Sequence, residues 1–166
     1  MLHPRGFCYS SSAMLHFAYG TNMSRALMRA RCPHAVAIGT TTLRDWRFII
    51  NRDGLPSIAR QPGGGVHGVL WRLCPRDVAA INAYESVQTG LYRASTLSVC
   101  HGPRRVRALV YIARRGGEGA PRPGFIDVVV EAALDWNLPH AYIRSISRRS
   151  PARWRGARAK DTGEVG

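Results

Sequence analysis

The chain is expected to fold as an α+β domain, a small, mostly antiparallel β-barrel with flanking helices. Three observations predict this. Segments of strand composition mostly follow one another, helices are inserted between them without strict alternation, and no internal repeat or second domain is visible. The 166 residues are 45% hydrophobic, enough for one domain with a core of its own.

The elements can be justified in order. "LHFAY" (15–19) is a short buried strand. "MSRALMRAR" (23–31) has helical composition with Asn22 placed as its N-cap, and "CP" ends it. Residues 36–51 alternate loosely and carry β-branched and aromatic side chains, as one long strand or a bent pair would. "LPSIAR" is a short strand, "QPGGG" a turn, and "VHGVLWRL" (66–73) alternates again. "CPRDVAAINAYES" is a helix with Pro75 in its first turn. "LYRASTLSVC" and "RVRALVYIA" form a hairpin around "HGPR". "RRGGEGAPRPG" is a loop bordering whatever pocket the barrel mouth holds. "FIDVVVEAALDW" reads as an apolar helix, although its valines alone would also suit a strand. "NLP" breaks it before a last short helix, "HAYIRSIS".

The domain is expected over 14–147. Residues 1–13 precede Met14 and the first strand and read as a disordered extension. Residues 148–166 read as a basic, disordered tail.

Composition narrows the function classes. The formal charge is +14, which by itself would point to a polyanionic partner. Yet Lys160 is the only lysine, and the arginines are scattered instead of forming a stripe, except in the tail. Nucleic-acid binding is therefore a minor alternative. No apolar run approaches the roughly 20 residues of a membrane span. The first fifteen residues lack the apolar centre of a signal peptide. Cys8, Cys32, Cys74 and Cys100 show no CxxC pair, so reduced thiols and a cytoplasmic location are expected. Cys32–His34 and Cys100–His101 are the only close Cys/His neighbours. Neither has a second pair in sequence, so no metal and no cofactor are expected.

Glu85 is the most informative residue. In the helix 75–85, Val78, Ile81 and Glu85 share one face, and that face is apolar. A carboxylate there loses water, and the negative end of the helix dipole also opposes its charge, so its pKa should rise. Such a group can exchange a proton near neutral pH, as a general base must. The competing reading ends the helix a turn early and leaves Glu85 in solvent.

A second feature is "HFAYGTNMSRALM" (16–28). A strand that runs through Gly20, Thr21 and Asn22 into a helix leaves backbone N–H groups unpaired at the junction. Gly20 permits close approach of a ligand, so the loop can cradle a carboxylate or a developing oxyanion. It is not a P-loop, because the lysine and second glycine are missing.

These two features resemble one family. "FAYGTNMS" resembles the Tyr-Gly-Ser-Asn signature of gamma-glutamylcyclotransferases and their plant and bacterial relatives. "YESVQTGLY" resembles their second block, a glutamate followed by Gly-x-Tyr, here Glu85, Gly90 and Tyr92. "GVLWRL" resembles the family's Gly-Val-x-Trp strand, and "RPGF…NLPHAY" its Pro-rich loop, helix and Leu-Pro-x-x-Tyr ending. The likeness spans about residues 15–146. It implies a barrel with a pocket at one mouth and cyclisation of a small-molecule γ-glutamyl substrate to 5-oxoproline with release of an amine. It implies that Tyr19, Gly20, Thr21, Asn22, Met23 and Ser24 carry the substrate-binding loop, and that Glu85 is the acid/base.

Three positions depart from the pattern. Thr21 stands for serine, Ser86 for glycine, and Phe125 for a tyrosine that contacts substrate. Tyr92 has two open readings, a partner of Glu85 or the substrate carboxylate, or a tyrosine of the barrel core. Arg93 should face the surface, and Trp46 and Trp71 the core. The alternative classes are a non-catalytic module that keeps the γ-glutamyl pocket and a basic nucleic-acid-associated protein.

Overall fold

The computed structural model describes residues 13–150. Most of the expected extension and tail therefore lies outside the described residues. Five strands close into a barrel in the order β1–β3–β2–β4–β5. They are β1 (Met14–Ala18), β2 (Val36–Ile50), β3 (Pro56–Leu73), β4 (Tyr92–His101) and β5 (Arg104–Ala113). All neighbours pair antiparallel except β1 and β5, which close the barrel in parallel through His16 and Leu109. Four helices flank it: α1 (Arg25–Arg31), α2 (Pro75–Tyr84), α3 (Phe125–Asp135) and α4 (His140–Ser147). Among the described residues, no helix is long and apolar enough to cross a membrane.

The longest ribbon corrects one expectation. "QPGGG" is not a turn between two strands but part of a continuous β3. Trp46 pairs with Arg60 and Arg44 with Gly65, so residues 61–64 bulge opposite the single residue Asp45. Gly63 takes φ +76°, Asp45 takes φ +66°, and the Gly63 amide donates to Asp45 Oδ1 at 3.0 Å. Glycine lets the strand loop out and rejoin its partner, which a sequence reader sees as a turn signal.

The ribbon's true turn is built by Asn51, which is fully buried. Its side-chain oxygen accepts from the amides of Asp53 (3.0 Å) and Leu55 (2.9 Å), while its amide donates to Arg115 O at 3.3 Å. Gly54, at φ +77°, lets the 114–124 loop lie against this turn, and a Cβ there would stand 2.8 Å from Arg122 Cγ and 2.9 Å from Ala120 O. The amides of Gly119 and Arg122 bond Ile50 O and Gly54 O at 2.9 Å each. The loop is thereby carried to the barrel mouth.

α3 is a helix because Ile126, Val129, Val130 and Ala133 fall at helical spacing and are all buried, and that common face outweighs the strand preference of valine. Trp136, just past its end, donates from Nε1 to Met23 O at 2.8 Å, and Arg25 stacks 3.4 Å over its ring. Trp46 and Trp71 are buried and Arg93 is exposed, as expected.

Candidate active site

β1 runs into the barrel mouth and hands over to a one-turn 3-10 helix, Thr21–Met23. Its internal bonds begin at Met23 N→Gly20 O and Ser24 N→Thr21 O, both 3.0 Å. The amides of Thr21 and Asn22 precede that first bond, as the orphan donors of a helix start do. Asn22 is not the cap of α1. Ser24 is, its Oγ accepting from Leu27 N at 3.4 Å. The extra turn frees the Asn22 side chain for another task.

That task is Glu85. α2 begins with Pro75 and ends at Tyr84, so Glu85 is its C-cap and lies at the end of the helix instead of within it. The next two residues close a Schellman motif, with Ser86 N→Ala83 O and Val87 N→Asn82 O at 3.1 Å each. The carboxyl is nevertheless half-buried where it meets the cleft. Burial raises its pKa from the usual 4.5 to about 7, against the opposing pull of the Asn22 hydrogen bond and the Arg31 charge. Asn22 Nδ2 donates to Glu85 Oε1 at 2.8 Å, and Arg31 donates to Asn22 Oδ1 at 2.5 Å. A guanidinium only donates, so it fixes which way the Asn22 amide points. Arg31 is itself held 3.5 Å over the Tyr84 ring.

Ser86 occupies the left-handed position of this motif at φ +50°. That explains the glycine of the resembling pattern, because a side chain there strains the backbone. Ser86→Gly is expected to stabilise the fold by about 1 kcal/mol, raising Tm by about 3 °C. Thermal unfolding monitored by circular dichroism measures it, and an unchanged or lower Tm would contradict the assignment.

Glu85 opens into a cleft of about 210 Å³ at the barrel mouth. That is below the roughly 300–1,000 Å³ of drug-sized sites, so it suits a small polar molecule. Tyr19, Gly20, Thr21, Asn22, Tyr92 and Phe125 all line it. Met23 and Ser24, expected with the same loop, do not. Met23 is fully buried, and Ser24 caps α1.

The tyrosines are engaged elsewhere at their hydroxyls. Tyr92 donates to Pro56 O at 2.7 Å instead of to Glu85, which favours the core reading of that residue. Tyr19 donates to Tyr111 O at 2.5 Å, and Tyr111 donates to Asn82 Oδ1 at 2.7 Å. Burial, reinforced by the nearby Glu85 carboxylate, pushes all three phenols up, so they remain protonated.

Two nitrogen-bearing side chains of the lining, Arg122 and His16, are not foreseen by the sequence pattern. Among the described residues Arg122 is the one cation of the lining, brought there by the loop packed on Gly54. Its Nε donates to Asp53 O at 2.7 Å, leaving the end of the guanidinium free of that bond. His16 is buried, and its Nδ1 lies 3.0 Å from Leu109 O. A carbonyl only accepts, so Nδ1 carries the proton and Nε2 is a bare acceptor. Burial lowers its pKa to about 4 and keeps it neutral. Only the alternation of β1 could have flagged it.

Comparison with known proteins agrees with this architecture. Residues 65–146 match the model of the AIG2-like family. Gamma-glutamylcyclotransferase of Mus musculus is 24% identical over 86% of this chain and 81% of its own length. The Homo sapiens protein of the same name is 20% identical over 92% and 87%. The family match, the sequence relatives and the fold together support a gamma-glutamylcyclotransferase-like assignment. A solved structure named gamma-glutamyl cyclotransferase superimposes with a TM-score of 0.78 at 21% identity, covering 93% of this chain and 94% of that one. At that identity the superposition speaks for the α+β barrel alone. The barrel expected from the gamma-glutamylcyclotransferase-like pattern is the barrel present.

Proposed function

We propose that this chain cyclises a γ-glutamyl group to 5-oxoproline and releases an amine, with Glu85 as general base and then general acid. The observation that carries the reading is the Glu85 carboxyl, half-buried at the cleft, held by Asn22 and poised near pH 7. A group with that pKa can both take and return a proton at neutral pH. The gamma-glutamylcyclotransferase names of the sequence relatives support the same reaction class.

The reaction is intramolecular, so proximity is largely supplied by the substrate and the site has to hold it folded. Glu85 takes a proton from the substrate's α-ammonium. The freed amine attacks the γ-carbonyl, and the amides of Thr21 and Asn22 stabilise the developing oxyanion. The bond to the departing amine then breaks as Glu85 returns the proton to that nitrogen. The ring nitrogen gives its second proton to the freed carboxylate, which passes it to the departing amine to leave as an ammonium. Arg122 gives the substrate's α-carboxylate a cation at the rim, and Gly20 lets the acyl group approach the backbone. Phe125 supplies an apolar wall without a hydroxyl, so contacts at that wall are van der Waals.

The test is a panel of γ-glutamyl amines and amino acids assayed for 5-oxoproline across pH. At least one member should turn over, with kcat/KM falling about tenfold per pH unit below about 7 as Glu85 is protonated. Ligand binding without product from any member would favour the non-catalytic module.

A further inference from the structure

The start of α2 holds a second cluster, away from the cleft lining. Cys32 caps the end of α1, His34 follows two residues later, Cys74 caps the start of α2, and Asp77 lies in its first turn. One donor atom from each of His34, Cys74 and Asp77 falls within 4.8 Å of the others. The Cys32 thiol donates to Asp77 O at 3.5 Å. The two Cys-Pro segments, unremarkable when 42 residues apart in sequence (32 to 74), thus meet in space.

Asp77 is the unusual member. Its side chain is 2% exposed, yet among the described residues its only ion-pair neighbour is His34 Nδ1, 3.6 Å from Oδ1 and beyond hydrogen-bond reach. Oδ2 is buried with no hydrogen-bond partner among the described residues. The positive end of α2 favours a charge here, but it does not satisfy a buried carboxylate oxygen, which is costly to leave bare. His34, by contrast, is 41% exposed at its side chain, which gives an ion a path in. Cys74 is buried and forms no disulfide among the described residues.

We propose that His34, Cys74 and Asp77 form a binding site for Zn²⁺ that clasps the end of α1 to the start of α2. One imidazole, one thiolate and one carboxylate are the mixed, borderline-soft set that zinc accepts, and three protein ligands leave a fourth position for water. Ligand atoms around a tetrahedral zinc sit closer than 4.8 Å, so binding draws the three inward. Asp77 enters as carboxylate and His34 as neutral imidazole. The Cys74 thiol loses its proton to solvent as the metal–sulfur bond forms, and nothing is oxidised or reduced. Asp77 Oδ2 gains the partner it lacks. The clasp also bears on the candidate active site. Asn22 precedes α1 and Glu85 ends α2, so a tie at the opposite ends of both helices fixes the pair from the far side.

The test is titration of the chelator-stripped full chain with Co²⁺ as a spectroscopic probe, followed by displacement with Zn²⁺. One equivalent of Co²⁺ should give tetrahedral d–d bands and a thiolate charge-transfer band, both lost on adding Zn²⁺. Cys74→Ser should abolish the charge-transfer band, and His34→Ala, at an exposed position, should weaken affinity at least tenfold with the fold intact by circular dichroism. Cys100→Ser, on β4 and outside the cluster, should change neither. Zn²⁺ should raise the Tm of the wild type and not of His34→Ala. An absent tetrahedral spectrum, or one that survives Cys74→Ser and His34→Ala unchanged, would overturn the site.

Discussion

Glu85→Gln is expected to fold as the wild type does and to lose turnover by roughly 10² or more. Glutamine keeps the shape of the side chain, and its Oε1 can still accept from Asn22 Nδ2, now at 2.8 Å from the carboxylate. What it loses is the titrating proton that both steps of the proposed reaction use. Stability separates this from a structural role. A carboxyl whose pKa rises from 4.5 to about 7 on folding binds its proton more tightly in the folded than in the unfolded state. Stability contributed through it is therefore greatest below about pH 4.5, falls as pH rises towards 7, and is lowest above that. Glutamine does not titrate, so the variant should lack this decline and match or exceed the wild-type Tm at pH 8. Turnover near the wild-type rate would remove Glu85 from the mechanism. Lost turnover together with a lower Tm at pH 8 would make it a structural residue instead.

How much of this was legible beforehand depended on distance along the chain. The face shared by Val78, Ile81 and Glu85 needs only helical periodicity; the helix stops at Tyr84, one residue before that face is complete, and the Glu85 carboxyl is left half-buried. The sequence could not say that the carboxyl would meet Asn22, because those residues are 63 positions apart. Asn22 was misread as a cap for a local reason. Both Asn22 and Ser24 suit that role, and only the intervening 3-10 turn decides between them. "QPGGG" was misread because glycines permit a bulge as readily as a turn, and the pairing of β2 with β3 on both sides settles which. Arg122 and the His34–Cys74–Asp77 cluster were illegible for the same reason as the Asn22–Glu85 pair. Each is assembled by packing between segments that the chain itself separates widely.

Gly68→Ala is expected to be the most destabilising of the conservative glycine replacements in β3. Gly68 opens the "GVLWRL" stretch and faces Thr41 across the ribbon, while the neighbouring Val69 pairs with Ala18 of β1. A Cβ at Gly68 would stand 2.2 Å from Ala18 O and 2.8 Å from Phe17 Cε2. A flexible side chain could yield at such a distance, but Ala18 O is backbone and Phe17 is fully buried. The strands themselves must part, so the cost should be about 3 kcal/mol, or roughly 10 °C in Tm. Gly65→Ala supplies the control. A Cβ there meets only Thr42 Cγ2 at 3.5 Å, an ordinary contact, so that variant should stay within about 0.5 kcal/mol of the wild type. Both changes add one methyl to the same strand and both remove the freedom of a glycine from the unfolded chain. A difference between them in urea unfolding therefore reports the β1–β3 approach alone. Because β1 leads directly into Tyr19, Gly20 and Asn22, parting it from β3 should also displace the loop that holds Glu85. Equal midpoints for the two variants would mean that the strands give way freely at Gly68, and that the close approach of β1 to β3 does not set the barrel mouth.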